Sequence, residues 1–383
     1  MKSYTGKKRQ EISFPVGGIG AGCIGLDGTG RLVDWEIFNR PNKGSLNGFS
    51  HFGIKVEDEK KTLDARVMNS DYLGPGTGRY RENRGHTGYG FGPERELLCG
   101  VPHFRDSEFL GEFPTAKVRF KDEVFPGVVS LEAFNPLIPS NEDDSSLPVG
   151  FYTAEVTNTT ERPLRYTFEL TVNNPSPYGH IHRDACTAHF RGIELADDYT
   201  VELSPNFGSL IFGVPIAADA QFQHYWYHGG WFDNLGVFWQ DFTAHGKLRD
   251  RVYDLNHRAK ADLATIAVSK ELAPSETWRQ RFLVGWYYPN CINYWSDDPS
   301  NNDDPKALDT HTWKNWYAMK FENVAAVAEY AMSKWDKLEE ETNRFREALY
   351  TSTLPPEAIE AVGANLAVLK SPTVLRLTDG QFY

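Results

Sequence analysis

The spacing of the apolar residues changes once along this chain, and that change constrains the fold more than any other feature. Up to about residue 290 apolar side chains alternate with polar ones. Leu164, Tyr166, Phe168, Leu170 and Val172 fall at every second position, and Ala264-Ile266-Val268 and Phe282-Val284-Trp286 repeat the pattern on either side of the turn signal Ala273-Pro274-Ser275. A two-residue period puts such residues on one face of a strand. Many short strands punctuated by Gly and Pro, with no helical pattern between them, predict a mainly β fold: a large antiparallel β-sandwich. From Trp313 the period becomes helical, through Trp316, Tyr317, Phe321, Val324, Val327, Ala328, Ala331, Trp335, Leu338, Phe345 and Leu349. That spacing predicts one long amphipathic helix or two in series. Leu354-Pro355-Pro356 opens a further helix, because proline is tolerated in a first turn. It carries Ile359, Val362, Leu366 and Leu369 on one face and stops at Ser371-Pro372. Thr373–Leu377 reads as extended, before the turn Thr378-Asp379-Gly380.

An apolar helix face needs something to cover it. The expected organisation is therefore a sandwich over residues 1–300, a helical linker over 301–350, and the opening of an unfinished helical domain over 351–383. A length of 383 residues suits about two domains. The formal charge of −12, with no run of Lys or Arg, argues against a nucleic-acid partner. No stretch approaches the ~20 apolar residues of a membrane span, and the basic amino terminus has no apolar segment behind it. The four cysteines, Cys23, Cys99, Cys186 and Cys291, lie far apart without a C-x-x-C pair, which predicts free thiols and a cytoplasmic setting.

Few motifs suggest chemistry. Gly20-Ala21-Gly22-Cys23-Ile24-Gly25 satisfies the dinucleotide pattern G-x-G-x-x-G, but the turn Leu26-Asp27-Gly28-Thr29-Gly30 follows where a helix would have to cradle a pyrophosphate. The expectation is a glycine-rich hairpin of closely approaching strands, and no cofactor. Asp34-Trp35-Glu36 sets two carboxylates at i and i+2, on one face of a strand, a spacing that permits glycoside acid/base chemistry at roughly 5–9 Å separation. Ion pairing to a neighbour such as Arg31 or Arg40 is the plainer reading, and catalytic residues are predicted to be absent. His180, His182, Asp184, Cys186 and His189 cluster without the spaced pairs of a zinc site, and the i, i+4 pair His224 and His228 is interrupted by Tyr225-Trp226-Tyr227 and Gly229-Gly230; neither predicts a metal. Asn158-Thr159-Thr160 has the form of a glycosylation site but reads as a strand end. Ser70–Gly100, dense in Gly and Arg, reads as a long surface excursion. The aromatic block from Tyr225 through Trp231-Phe232-Asp233 to Phe238-Trp239 has the composition of a sugar platform, but core or interdomain packing is the plainer reading.

Several stretches together resemble glycoside hydrolase family 116, the family of the non-lysosomal glucosylceramidase and bacterial β-glucosidases. They are Phe14–Gly22, Asp34-Trp35-Glu36-Ile37-Phe38-Asn39-Arg40-Pro41, Leu131–Pro136 with Asn141–Pro148, and Ser371-Pro372-Thr373 through Asp379–Tyr383. The resemblance implies an amino-terminal sandwich followed by an (α/α)6 barrel, of which residues 351–383 would supply the first helix. It implies a retaining mechanism in which a Glu nucleophile follows almost directly after the segment matching Asp379–Tyr383, so neither catalytic carboxylate is expected in this chain. A β-glucoside or glucosyl lipid would be the substrate, bound by a carboxy-terminal catalytic domain that this sequence lacks. Asp34, Trp35, Glu36, Asn39 and Arg40 are then expected at the interdomain surface. Two other readings stay open: a carbohydrate-binding module using the aromatic block, and the sandwich of another (α/α)6 glycosidase family.

Overall fold

The computed structural model describes residues 2–71, 95–177, 179–229, 233–253, 262–292 and 312–383. The alternating segments form two large sheets. One has nine antiparallel strands in the order Lys2–Tyr4, Asp106–Glu112, Thr115–Lys121, Val128–Phe134, Val149–Thr157, Thr277–Tyr287, Ser209–Pro215, Phe190–Ala196, Ile181–Cys186. The other has six, in the order Ala220–Gln223, Leu263–Leu272, Leu164–Asn173, His51–Glu57, Thr62–Ser70, His103–Phe104, antiparallel except for its last, short pair. The inner faces meet in one core, where Leu164, Tyr166, Phe168, Leu170 and Val172 pack against Tyr152, Ala154, Phe282, Val284 and Trp286. The turn at Ala273–Glu276 is an arch and not a hairpin, since the strands it joins belong to different sheets. Ser275 takes a left-handed φ of 63° there.

A small three-stranded sheet, Ser13–Gly18, Gly22–Asp27 and Leu32–Glu36, closes one side of the core with Phe14, Val16, Ile24, Leu26 and Trp35. Its glycines let chains touch. A Cβ on Gly17 would collide with the Gly22 carbonyl, and one on Gly20, at φ 68°, with the Arg376 backbone nitrogen.

The helices are α1 (Glu142–Ser145), α2 (Asn234–Thr243), α3 (Tyr317–Lys320), α4 (Val324–Ser333), α5 (Trp335–Tyr350) and α6 (Pro356–Leu366). Helix α2 interrupts a region expected to be free of helix. Its Phe238 and Phe242, one turn apart, pack with Trp226, Phe49 and Leu263 over the outer face of the six-stranded sheet. The expected linker over 301–350 is likewise not helical throughout. In its described part Thr312–Lys314 is a strand paired with Asn290–Ile292, and helix begins only at Tyr317. The helical run then breaks at Lys334 (φ −108°, ψ 9°) into α4 and α5 in series.

The apolar face of the helical region finds much of its cover on the sandwich itself. Val324, Val327, Ala328, Ala331, Trp335 and Leu338 are buried against Phe134, Phe151, Ile211 and Leu283 on the outer face of the nine-stranded sheet. That sheet is therefore apolar on both faces at one end, and the sandwich itself covers α4 and the start of α5. Along the helical region the exposed apolar residues are Met319 of α3 and, in the last segment, Leu354, Val362, Val368, Leu369, Phe382 and Tyr383, while Ile359 is buried and Leu366 half-buried. The last segment contributes one helix, α6, followed by the turn Ala367–Lys370.

Candidate functional site

The carboxyl-terminal segment returns across the three-stranded sheet, and the residues with unusual chemistry gather at that contact. Asp34 sits at a register shift of the strand Leu32–Glu36, in left-handed conformation (φ 49°), held by its amide donating to the Ser45 carbonyl at 2.9 Å. The bulge does not separate the two carboxylates. Lys43, from the following loop, spans them, with Nζ 3.3 Å from Asp34 Oδ2 and 3.0 Å from Glu36 Oε2. Ser13 Oγ and the Gly44 amide donate to Asp34 at 2.7 and 2.6 Å, and the Asn42 amide to Glu36 at 3.1 Å. Burial opposes the Lys43 charge, but the two carboxylates outweigh it and hold its pKa above the usual value. Burial, reinforced by Glu36, pushes the neighbouring Cys23 thiol far up, so it stays protonated. Each carboxylate oxygen thus has a donor. The arrangement suits a fixed structural anion pair and not a proton shuttle.

Asp34, Glu36, Lys43 and Cys23 line a cavity of about 210 Å³ whose other wall is Ala364, Ala367, Val368 and Ser371. The structure therefore brings Asp34 and Glu36 to the carboxyl-terminal helical segment. Trp35 is buried in the sandwich core with Nε1 3.4 Å from the Leu32 carbonyl. Asn39 is buried, left-handed at φ 53°, and bonds to the Tyr317 hydroxyl at the start of α3. Arg40 is half-buried. The expected ion-pair partners are corrected: Arg31 donates instead to Thr29 Oγ1 and, at 3.1 Å, to the Ser70 carbonyl, and Lys43 takes the role assigned to Arg31 or Arg40. A lysine on a loop can swing into place, whereas Arg31 is committed to its own turn.

Two cations that sequence reasoning did not single out complete the contact. Lys370 is fully buried, and its Nζ donates to the carbonyls of Pro136 and Ser145, each at 2.9 Å. Burial without a carboxylate partner lowers its pKa to about 7. The Arg376 guanidinium lies 3.7 Å from the Trp316 ring centroid and donates to Asp143 Oδ1 at 3.0 Å and to the Glu142 carbonyl at 3.2 Å. It pins the hairpin in which Leu375 and Tyr383 exchange backbone hydrogen bonds of 2.9 and 2.8 Å. The available signal was a charged residue directly after the apolar α6 pattern, which by itself reads as a solvated helix end.

The histidines flagged separately come together in space. His224 bridges Asp184 (2.9 Å) and Asp250 (3.0 Å), carboxylates that raise its pKa against the effect of burial. His228 meets Asp262 at 2.6 Å, and His182 stacks on Tyr225 at 4.4 Å and bonds to the His224 carbonyl. His189 pairs outward with Glu329 of α4 at 2.6 Å. Among the described residues no three His, Cys, Asp or Glu side chains are placed to hold a metal. In its described part the aromatic block is mostly buried: Trp226 stacks with Phe238 at 4.0 Å and Tyr225 is buried beside it, while Trp239 is half-buried and Tyr227 exposed. Trp231, Phe232 and most of the Ser70–Gly100 excursion lie outside the described residues. Below α6 an apolar cleft of about 820 Å³ runs between Phe14, Phe109 and Phe113 on one side and Tyr350, Ile359 and Gly363 on the other.

Residues 13–338 match the sequence family described as beta-glucosidase 2, glycosyl-hydrolase family 116 N-term. No curated protein matches the chain. Among solved structures it is similar to a putative kojibiose phosphorylase from the human microbiome, at 10% identity and a TM-score of 0.39, over 91% of this chain and 37% of that one. It is also similar to a family 36 α-galactosidase from Geobacillus stearothermophilus, at 12% identity and a TM-score of 0.26, over 75% and 41%. The chain thus spans well under half the length of either.

Proposed function

The chain belongs to glycoside hydrolase family 116 through its amino-terminal domain, and from that premise we propose that it is the sandwich portion of a retaining β-glucosidase acting on β-linked glucosides or glucosyl lipids. In this reading its role is to carry a catalytic (α/α)6 domain and not to perform the chemistry. The observation that carries it is the family match over residues 13–338, which spans the sandwich and α4 and ends within α5. The nucleophile and the acid/base would come from the catalytic domain. Two features support a domain contact at α6. The buried Asp34 and Glu36, bridged by the largely exposed Lys43, face this segment, and the exposed Val362, Val368 and Leu369 are surface that a packed neighbour would cover. Asp34, Trp35, Glu36, Asn39 and Arg40 would then support that junction from beneath, with α6 as the first helix of the barrel. The free thiols of all four cysteines favour a reducing, cytoplasmic location.

The test is direct. The 383-residue chain, incubated with an aryl β-glucoside, is expected to release no aglycone above the uncatalysed background. Measurable turnover by this chain alone would refute the proposal.

A further inference from the structure

The outer face of the nine-stranded sheet changes character partway along its strands. At one end it is apolar and covered by α4 and α5; at the other it carries ordered rows of polar side chains. Because side chains alternate and neighbouring strands are in register, Lys117, Glu132, Thr153 and Arg281 form one row across four strands, and Arg119, Ser130, Glu155 and Arg279 form the next. The charges are paired among themselves. Glu132 takes Lys117 at 2.8 Å and Arg279 at 2.6 Å, and Glu155 takes the same two at 3.1 and 3.2 Å.

Where this surface runs under α5 it is hollowed into two clefts of about 320 and 420 Å³. Thr153, Arg279 and Glu339 line both, so the clefts form one continuous trough. Two polar groups in it are unused. Thr153 is 5% exposed and its hydroxyl makes no hydrogen bond with any described residue, and the same holds for the half-buried side-chain amide of Asn343 on α5. Thr153 lies between Glu132 and Arg281 in its row, and its hydroxyl is left to take a partner from the trough.

We propose that this trough is a non-catalytic binding site for a neutral oligosaccharide. Arg281 pairs with Asp336 and Glu339 and Arg346 with Glu347, so every cation of the trough has a carboxylate beside it and little net field is left to select an ion, yet the trough presents carboxylate, guanidinium and amide groups together. Sugar hydroxyls each donate and accept, so a polyhydroxylated chain can use both kinds of group, and the unspent Thr153 and Asn343 add a hydroxyl and an amide at its centre. Continuity of the two clefts favours several sugar units over one. The choice of a β-glucan rests on the hydrolase reading above; the site itself does not.

Calorimetric titration of the 383-residue chain with cellotriose is expected to give saturable binding, weaker for glucose. Thr153→Val and Asn343→Ala should each weaken it by about five-fold, the loss of one net hydrogen bond. Both changes are mild, the first nearly isosteric and the second favouring helix, and unchanged circular dichroism confirms the fold. Absence of saturable cellotriose binding, equal binding by both variants, or binding of inorganic phosphate in place of the sugar would each overturn the proposal. A negative result would leave the hydrolase reading standing, since that reading is judged by turnover.

Discussion

Lys370 is the residue whose environment departs furthest from its chemistry. It is fully buried, donates only to two backbone carbonyls, and has a pKa of about 7 against an ordinary value of 10.5. A lysine depressed by burial destabilises the fold in full below pH 7, where it is charged in both states. Between pH 7 and 10.5 the unfolded chain binds more protons than the folded one, so stability rises with pH across that window. The full excursion is worth on the order of 5 kcal/mol. Urea unfolding followed from pH 7 to 9 should therefore show the native chain gaining stability relative to Lys370→Met, which strands two carbonyls but has no proton to lose. Parallel curves would mean that Lys370 keeps its proton through a partner other than those carbonyls. The Asp34, Glu36 and Lys43 set is the counter-example: there every buried charge has an opposite charge or a donor at hand.

At the scale of elements, the joint between α5 and the nine-stranded sheet centres on Trp335. Its ring meets Phe134 and Phe151 edge-on at 5.7 and 4.9 Å, with the Arg281 guanidinium 5.1 Å from its centroid. Trp335→Ala should cost about 3–5 kcal/mol in urea unfolding, the usual range for a large core aromatic; a loss below 1 kcal/mol would show that the helices do not depend on this contact. The strands of the core were legible because Leu164 to Val172 alternate cleanly, and α6 because Pro356 and Ser371-Pro372 bracket it. The pairing of α4 with the sheet was not, because Phe134, Phe151, Ile211 and Leu283 occupy positions on four strands that read, one by one, as ordinary core. Helix α2 was hidden for a related reason: Phe238 and Phe242 have helical spacing, but the aromatic residues around them drown it. At the candidate site, the type of Asp34 and Glu36 was readable and their partner was not, since Lys43 enters from a loop whose path depends on a left-handed turn.

Across the whole molecule, the layers run from α4 and α5 through the nine-stranded and six-stranded sheets to α2. Each of these junctions is a cluster of buried apolar side chains, and of the exposed apolar residues Leu354 borders the cleft of about 820 Å³ and Val368 the smaller cavity of about 210 Å³. The chain should enhance the fluorescence of a hydrophobic dye at native stability, and Val362→Glu with Val368→Glu should reduce that signal by more than half; an unchanged signal would place the dye elsewhere. The close approach of Gly20 to Arg376, together with the ion pair of Lys2 with Glu360, carries a consequence for how the molecule is made. These are among the most distant contacts in the chain, and loop closure makes such contacts late. A nascent polypeptide has its glycine-rich hairpin ready early but must hold that surface bare until residue 376 emerges, so this fastening closes only after every strand of the two large sheets has been made.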